Sequence, residues 1–356
     1  MPKHTDYLPP GPVIVDVAGV ELTDKEAARL RHPLVGGVIL FTRNFASRAQ
    51  LTELCAAIHA CRDEPLLISV DHEGGRVQRF RSDGFTALPA MRRLGEIWQD
   101  DSLTALRLAT QTGYVLAAEL RACGVDLSFT PVLDLDYRTS SVIGERAFAR
   151  DPQAVAQLAR ALIQGLQCAG MAACGKHFPG HGFVAADSHH EIPVDARELA
   201  NILREDAAPY GWLGDLILPC VMPAHIIYPA VDSAPAGFSA YWLQTVLRGQ
   251  LRYDGLIFSD DLTMQGASVA GDILARAQAA LGAGCDMVLV CNRPDLADEL
   301  LARLQTEMPA ASRARLQRLR PRGKALDWDR LQSDAHYQRA IGEIQCISNT
   351  LNRGLL

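Results

Sequence analysis

The chain contains no run of about 18 apolar residues, so no segment is suited to cross a bilayer as a helix. Its opening residues, Met1-Pro2-Lys3-His4-Thr5-Asp6, lack the apolar stretch behind a basic start that marks an export signal. Nine cysteines occur, an odd number, and no two form a C-x-x-C pair. Cys174, Cys220, Cys285 and Cys291 instead lie inside apolar runs, as small core residues do. Reduced, buried thiols and a cytoplasmic location are therefore expected. A strong excess of charge is missing too. The net charge of −6 argues against a surface built for nucleic acid or for an anionic membrane. No repeat and no low-complexity linker divides the 356 residues, of which 48% are hydrophobic, enough for one large core.

What is present is a regular alternation. Eight short apolar runs predict strands at Val13–Val17, Gly37–Phe41, Leu66–Val70, Leu127–Leu133, Ala172–His177, Leu216–Val221, Leu256–Ser259 and Met287–Cys291. Most are continuous rather than alternating, as parallel strands covered on both faces require. Helical periodicity fills the gaps, with start signals at Ser47 (and Gln50 three residues on), at Asp151-Pro152 and at Ser239. Strand–helix alternation at this count fits a barrel or a doubly wound sheet. Without a glycine-rich dinucleotide fingerprint after the first strand, the barrel is favoured. The expected fold is a single-domain α/β chain, a (β/α)8 TIM-type barrel over about 12–310 with a C-terminal helical extension over about 311–356. Long insertions at 72–101 and 178–198 are expected to carry function.

In such barrels the active site forms at the C-terminal ends of the strands. Those ends carry Thr42-Arg43-Asn44, Asp71-His72-Glu73-Gly74-Gly75-Arg76, Asp134 with Gly144-Glu145-Arg146 beyond it, Lys176-His177, His225, Ser259-Asp260-Asp261 and Asn292-Arg293. So many charges after separate apolar strands converge on one rim. An Asp fixed at a strand end can serve as a covalent nucleophile, or as a helix N-cap at the βα turn; the cap suits Asp261 better than Asp260. His177 and His181 stand four apart, but Pro179 and Gly180 between them break the helix that zinc ligation at this spacing needs, so no metal is expected. Asp187 and His189 are close enough for the carboxylate to orient the imidazole as an acid/base near neutral pH, or to be a solvated loop dyad.

Taken together, Lys176-His-Phe-Pro-Gly-His-Gly182, Asp187-Ser-His189, Ser259-Asp-Asp-Leu262 and Asp71-x-Glu-Gly-Gly-Arg-Val-Gln-Arg79 resemble family 3 glycoside hydrolases. More narrowly, they resemble the single-domain bacterial β-N-acetylhexosaminidases of peptidoglycan recycling. Leu34–Asn44, Gly144-Glu-Arg146 and Met222-Pro-Ala-His225 fit the same group, and the likeness runs from about residue 12 to 293. The resemblance implies Asp260 as nucleophile and His189 as acid/base assisted by Asp187. It assigns Asp71, Arg79, Arg146, Lys176 and His177 to the terminal sugar. It further implies a retaining, cofactor-free and metal-free hydrolysis of N-acetylglucosamine β-1,4-linked to 1,6-anhydro-N-acetylmuramic acid, with or without peptide, by a monomer.

Other readings stay open on the sequence. Lys176, His177, His225 and a strand-end Asp superficially match the ligands of a metal-dependent amidohydrolase, although strand one ends in Val15-Asp16-Val17 without a His-x-His. A non-catalytic sugar-binding barrel is another reading, and phosphate in place of water is a variant of the enzymatic one.

Overall fold

The computed structural model describes residues 9–185 and 192–350. Eight strands close into a barrel: β1 Val13–Asp16, β2 Val35–Leu40, β3 Leu67–Val70, β4 Leu127–Ser128, β5 Ala172–Phe178, β6 Cys220–Pro223, β7 Leu256–Asp261 and β8 Met287–Val290. Neighbours in sequence are neighbours in space, every barrel pairing is parallel, and β1 closes the ring by pairing with both β2 and β8. The fold is a (β/α)8 barrel.

The continuous apolar runs are explained by two cores of opposite facing. Successive side chains on a strand point to opposite sides of the sheet. Ile14, Ile39, Leu67 and Leu127 fill the barrel interior together with Cys174, Cys220 and Cys291. Val13, Val15, Val38, Ile68 and Val70 face outward against the helices. Both faces are dry, so apolar side chains predominate on each. The three inward cysteines supply small volume where eight strands crowd one axis.

The helix starts follow the chemistry of their caps. Ser47 accepts from the amide of Gln50, while the Gln50 side chain reaches past the cap to bind Ala46, Asn44 and Val20 main-chain atoms. Asp151 accepts from the amides of Gln153 and Ala154 ahead of the helix Pro152–Cys168. The Ser239 hydroxyl accepts from the Trp242 amide at the start of the helical segment Tyr241–Gln250.

Two strand boundaries differ from expectation by about four residues or more, the others by about one or two. The run Leu127–Leu133 pairs regularly only over Leu127–Ser128, because Pro131 lacks the amide that a ladder needs; beyond it the chain follows β5 through isolated bonds such as Leu133 N to Lys176 O. The expected strand Leu216–Val221 begins only at Cys220. Leu216 and Ile217 finish the helix Ala208–Ile217, and Leu216 is 90% exposed. Apolar character alone cannot separate a helix end from the strand that follows it.

The insertion after β3 opens with a small hairpin, His72–Gly74 paired with Val77–Gln78, before the helices Met91–Asp100 and Ser102–Ala122. After β8 come the helices Pro294–Arg303, Ala310–Gln317, Trp328–Ser333 and Ala335–Thr350. Tyr337, on the last of them, donates its hydroxyl to buried Glu119.

Candidate active site

A cavity of about 440 Å3 opens at the C-terminal ends of the strands. Asp71, Arg79, Arg146, Lys176, His177 and Asp260 all line it, although the sequence spreads them over nearly two hundred residues. Asp187 and His189 lie outside the described residues.

One wall is an ionic network. Lys176, on β5, places Nζ 2.7 Å from Asp71 Oδ1 and 2.7 Å from Glu73 Oε1. Arg146 grips Glu73 bidentately, with Nε and Nη2 each 2.8 Å from a carboxylate oxygen. Arg79 Nη2 stands 3.5 Å from Asp71 Oδ2. Lys176 and Glu73 are almost wholly buried, where an unpaired charge would be expensive. Burial pushes the Glu73 carboxyl up, but the Arg146 and Lys176 charges outweigh it and hold the group well below the usual carboxylate range. The same balance keeps the Asp71 carboxyl low, and the two carboxylates raise the Lys176 ammonium against its own desolvation. Asp71, Glu73 and Lys176 stay charged at neutral pH.

Glu73 received no role from the sequence. Its signal was its place two residues after Asp71, which puts alternate side chains on one side of an extended chain. Asp134, at the end of the β4 segment, was likewise noticed only as a strand end. It accepts from the His177 ring at Nδ1 (2.7 Å), from the His177 amide (3.3 Å) and from the His181 amide (2.6 Å). This carboxylate therefore sets the path of the chain leaving β5 and places the His177 ring proton on Nδ1. Nε2 is left as the ring atom for a ligand hydroxyl.

The two adjacent aspartates on β7 differ in what they hold. Asp261 accepts from the Thr263 amide (2.9 Å), the Thr263 hydroxyl (2.7 Å) and the Cys291 amide on the far side of the β8 end (3.1 Å). It ties the β7 turn to the neighbouring strand. Desolvation pushes its carboxyl up to about 6 against those bonds. Among the described residues Asp260 receives only the Asp261 amide, at 2.8 Å on Oδ1, and it remains on the cavity wall. His225 is fully buried and bonds the Asp261 carbonyl through Nε2 at 3.2 Å, supporting this turn from behind. It does not line the cavity.

Sequence reasoning missed Arg197. Its guanidinium binds Asp195 at 2.6 Å, Asp206 at 2.8 Å and the Tyr137 hydroxyl at 2.6 Å, and lies 4.0 Å from the centre of the Phe183 ring. It thereby joins Phe183 and Asp195, which flank residues 186–191 in the chain. Asp195 is two residues away, but nothing in local spacing announces the contacts with Tyr137 and Phe183. Among the described residues, no three His, Cys, Asp or Glu side chains gather as a metal site, and no helix is long and apolar enough to cross a membrane.

The glycosyl hydrolase family 3 N-terminal domain model matches residues 13–319. The chain belongs to this family. It is 75% identical over 338 residues to a β-hexosaminidase of Bordetella avium strain 197N, covering 95% of this chain and 96% of that protein. It is 59% identical to a β-hexosaminidase of Thiobacillus denitrificans, over 94% of this chain and 93% of the relative. Among solved structures, NagZ from Neisseria gonorrhoeae with zinc ion superposes with a TM-score of 0.90 at 48% identity, over 96% of this chain and 99% of that one. The complex of the same NagZ with N-trifluoroacetyl-D-glucosamine gives 0.89 at 48% identity, over 96% and 99% of the two chains. Within family 3, the group is that of the bacterial β-N-acetylhexosaminidases.

Proposed function

We propose that this family 3 enzyme removes a terminal β-linked N-acetylglucosamine from GlcNAc-1,6-anhydroMurNAc fragments of the cell wall, peptide-bearing or not. In this reading it acts in the cytoplasm as a monomer, with the barrel and its C-terminal helices as one catalytic unit. The observation that carries it is the position of Asp260 in one cavity with the Asp71–Glu73–Lys176–Arg146 network. A pyranose presents hydroxyls that both donate and accept. Paired charges offer both functions in fixed directions, without a net field that would favour an ion over a neutral sugar. The N-trifluoroacetyl-D-glucosamine complex of Neisseria gonorrhoeae NagZ supports a hexosamine as the ligand.

The reaction proceeds in two displacements. Asp260 attacks the anomeric carbon while the departing glycosidic oxygen takes a proton from His189, which Asp187 orients. The sugar is then an ester of Asp260. His189 next removes a proton from water, the water oxygen attacks the anomeric carbon, and Asp260 leaves as carboxylate with the β configuration retained. The bonds of Asp261 favour Asp260 as the nucleophile in this reading, since attack by Asp261 would require giving up the Thr263 and Cys291 donors. A neutral imidazole suits an anionic leaving sugar better than a second carboxylate, because it adds no like charge.

The test is incubation with purified GlcNAc-anhydroMurNAc in the presence of chelator, with and without phosphate. Free N-acetylglucosamine, released first as the β anomer, is expected under every condition. An α product, a sugar phosphate, or loss of activity in chelator would contradict the reading.

A further inference from the structure

Among the described residues, the cations on the cavity wall are held by acids, with one exception. Arg79, Arg146 and Lys176 each pair with Asp71 or Glu73. Arg76 also lines the cavity, at the turn of the hairpin His72–Gln78, and is exposed. Among the described residues it has no carboxylate partner. Its Nη2 donates to the main-chain carbonyls of Ser141 (3.0 Å) and Val142, while Nε and Nη1 have no hydrogen-bond acceptor there.

The Val142 carbonyl also accepts from Arg146 Nη1 at 3.2 Å. Two guanidinium groups therefore meet at one oxygen and diverge. Arg146 is committed to Glu73 in the buried network, and Arg76 stands at the solvent edge of the same cavity. The carbonyl bonds hold the Arg76 arm in place while leaving donors spare. That leaves a pre-positioned cation with Nε and Nη1 as separate donors for an anion's oxygen, at low cost in side-chain entropy. On a chain of net charge −6, the Arg76 charge, uncompensated among the described residues, also marks where a negative ligand group would be favoured.

We propose that Arg76 is a specificity-determining residue for the leaving sugar, receiving a carboxylate borne by the residue that follows the β-linked N-acetylglucosamine. The proposal rests on the functional reading above, in which the buried network holds the terminal sugar and the leaving sugar lies toward solvent. Arg76 then contributes to the choice of acceptor through binding, and takes no part in bond making or breaking.

The experiment compares two matched substrates, GlcNAc-anhydroMurNAc and its carboxyl methyl ester, on the full chain and on the variants Arg76→Met and Arg76→Lys. The full chain is expected to prefer the free acid, with a preference that shrinks as salt is raised. Arg76→Met should lower the acid-to-ester ratio of kcat/KM by at least tenfold, mainly through KM for the acid. Arg76→Lys should retain part of the preference. An acid-to-ester ratio unchanged in Arg76→Met would overturn the proposal. So would a Lys variant as indifferent as the Met variant, since that assigns the loss to displacement of the Ser141–Val142 loop. Hydrolysis of neither substrate by the unaltered chain would overturn the functional reading itself, and this proposal with it.

Discussion

Lys176 Nζ lies 2.7 Å from Glu73 Oε1, with both side chains almost wholly out of water. Neither charge could be sustained there alone. The pair is joined to Arg146 and Asp71, so that two acids and two bases form a compact unit whose polar atoms face the cavity.

Breaking that unit should damage both stability and binding. Removing one member of a buried pair leaves the other uncompensated, at a cost of about 3–5 kcal/mol. Glu73→Ala is expected to lower the unfolding free energy by an amount in that range and to raise KM. Denaturant titration and steady-state kinetics on an aryl β-N-acetylglucosaminide check this. A variant with the parent's stability would show that the pair carries no such energy.

The two β7 aspartates should separate cleanly under mutation. Asp260→Ala is expected to abolish turnover on every β-glycoside while leaving the fold intact. Asp261→Ala removes an acceptor from three donors, and each buried donor left unmet costs about 1–3 kcal/mol. It should therefore lose several degrees in Tm and retain measurable turnover. Thermal unfolding and activity measured on the same preparations distinguish the two outcomes.

Glu119 links pH to stability. It is fully buried, bonded to the Thr86 amide and hydroxyl and to the Tyr337 hydroxyl, and burial pushes its carboxyl up from 4.5 to about 7 despite those bonds. A carboxyl whose folded pKa is raised binds its proton more tightly when folded. Its contribution is fully present below about pH 4.5 and is lost as pH rises through about 7, a fall on the order of 3 kcal/mol. Unfolding measured from pH 5 to 8 should show this decline, and Glu119→Gln should flatten that part of the curve. An identical slope in the Gln variant would remove Glu119 from the account.

His189 should matter according to the leaving group. With a good aryl leaving group that needs no proton, His189→Ala is expected to slow the first step least. With a sugar leaving group the loss should be larger, on the scale of 10²–10⁴ for general acid–base catalysis. Pre-steady-state measurement across a leaving-group series checks it; equal impairment throughout would contradict the acid's role.

Much of this architecture is written locally. The eight apolar runs correspond to the barrel strands because two-sided burial forces continuous hydrophobicity, and Ser47, Asp151 and Ser239 cap helices through bonds spanning three residues or fewer. Errors arose where one apolar stretch serves two elements, as at Leu216–Val221, or where Pro131 interrupts pairing. The strand-end residues that line the cavity were legible because a barrel delivers its strand ends to one rim. Their partners were less so. Arg146 meets Glu73 across 73 residues, and Asp134 meets His177 across 43, distances that spacing does not encode. Arg197 was invisible because two of its contacts, with Tyr137 and Phe183, form only once the chain on both sides of residues 186–191 is brought together.

The most direct measurement is covalent trapping with a 2-fluoro β-glycoside that has an activated leaving group, followed by peptide mass analysis. Attack by the β7 carboxylate places the fluorosugar, one per chain, on Asp260. A stable adduct on Asp261 or elsewhere, or rapid turnover into an inverted sugar with none formed, would contradict the account at its centre.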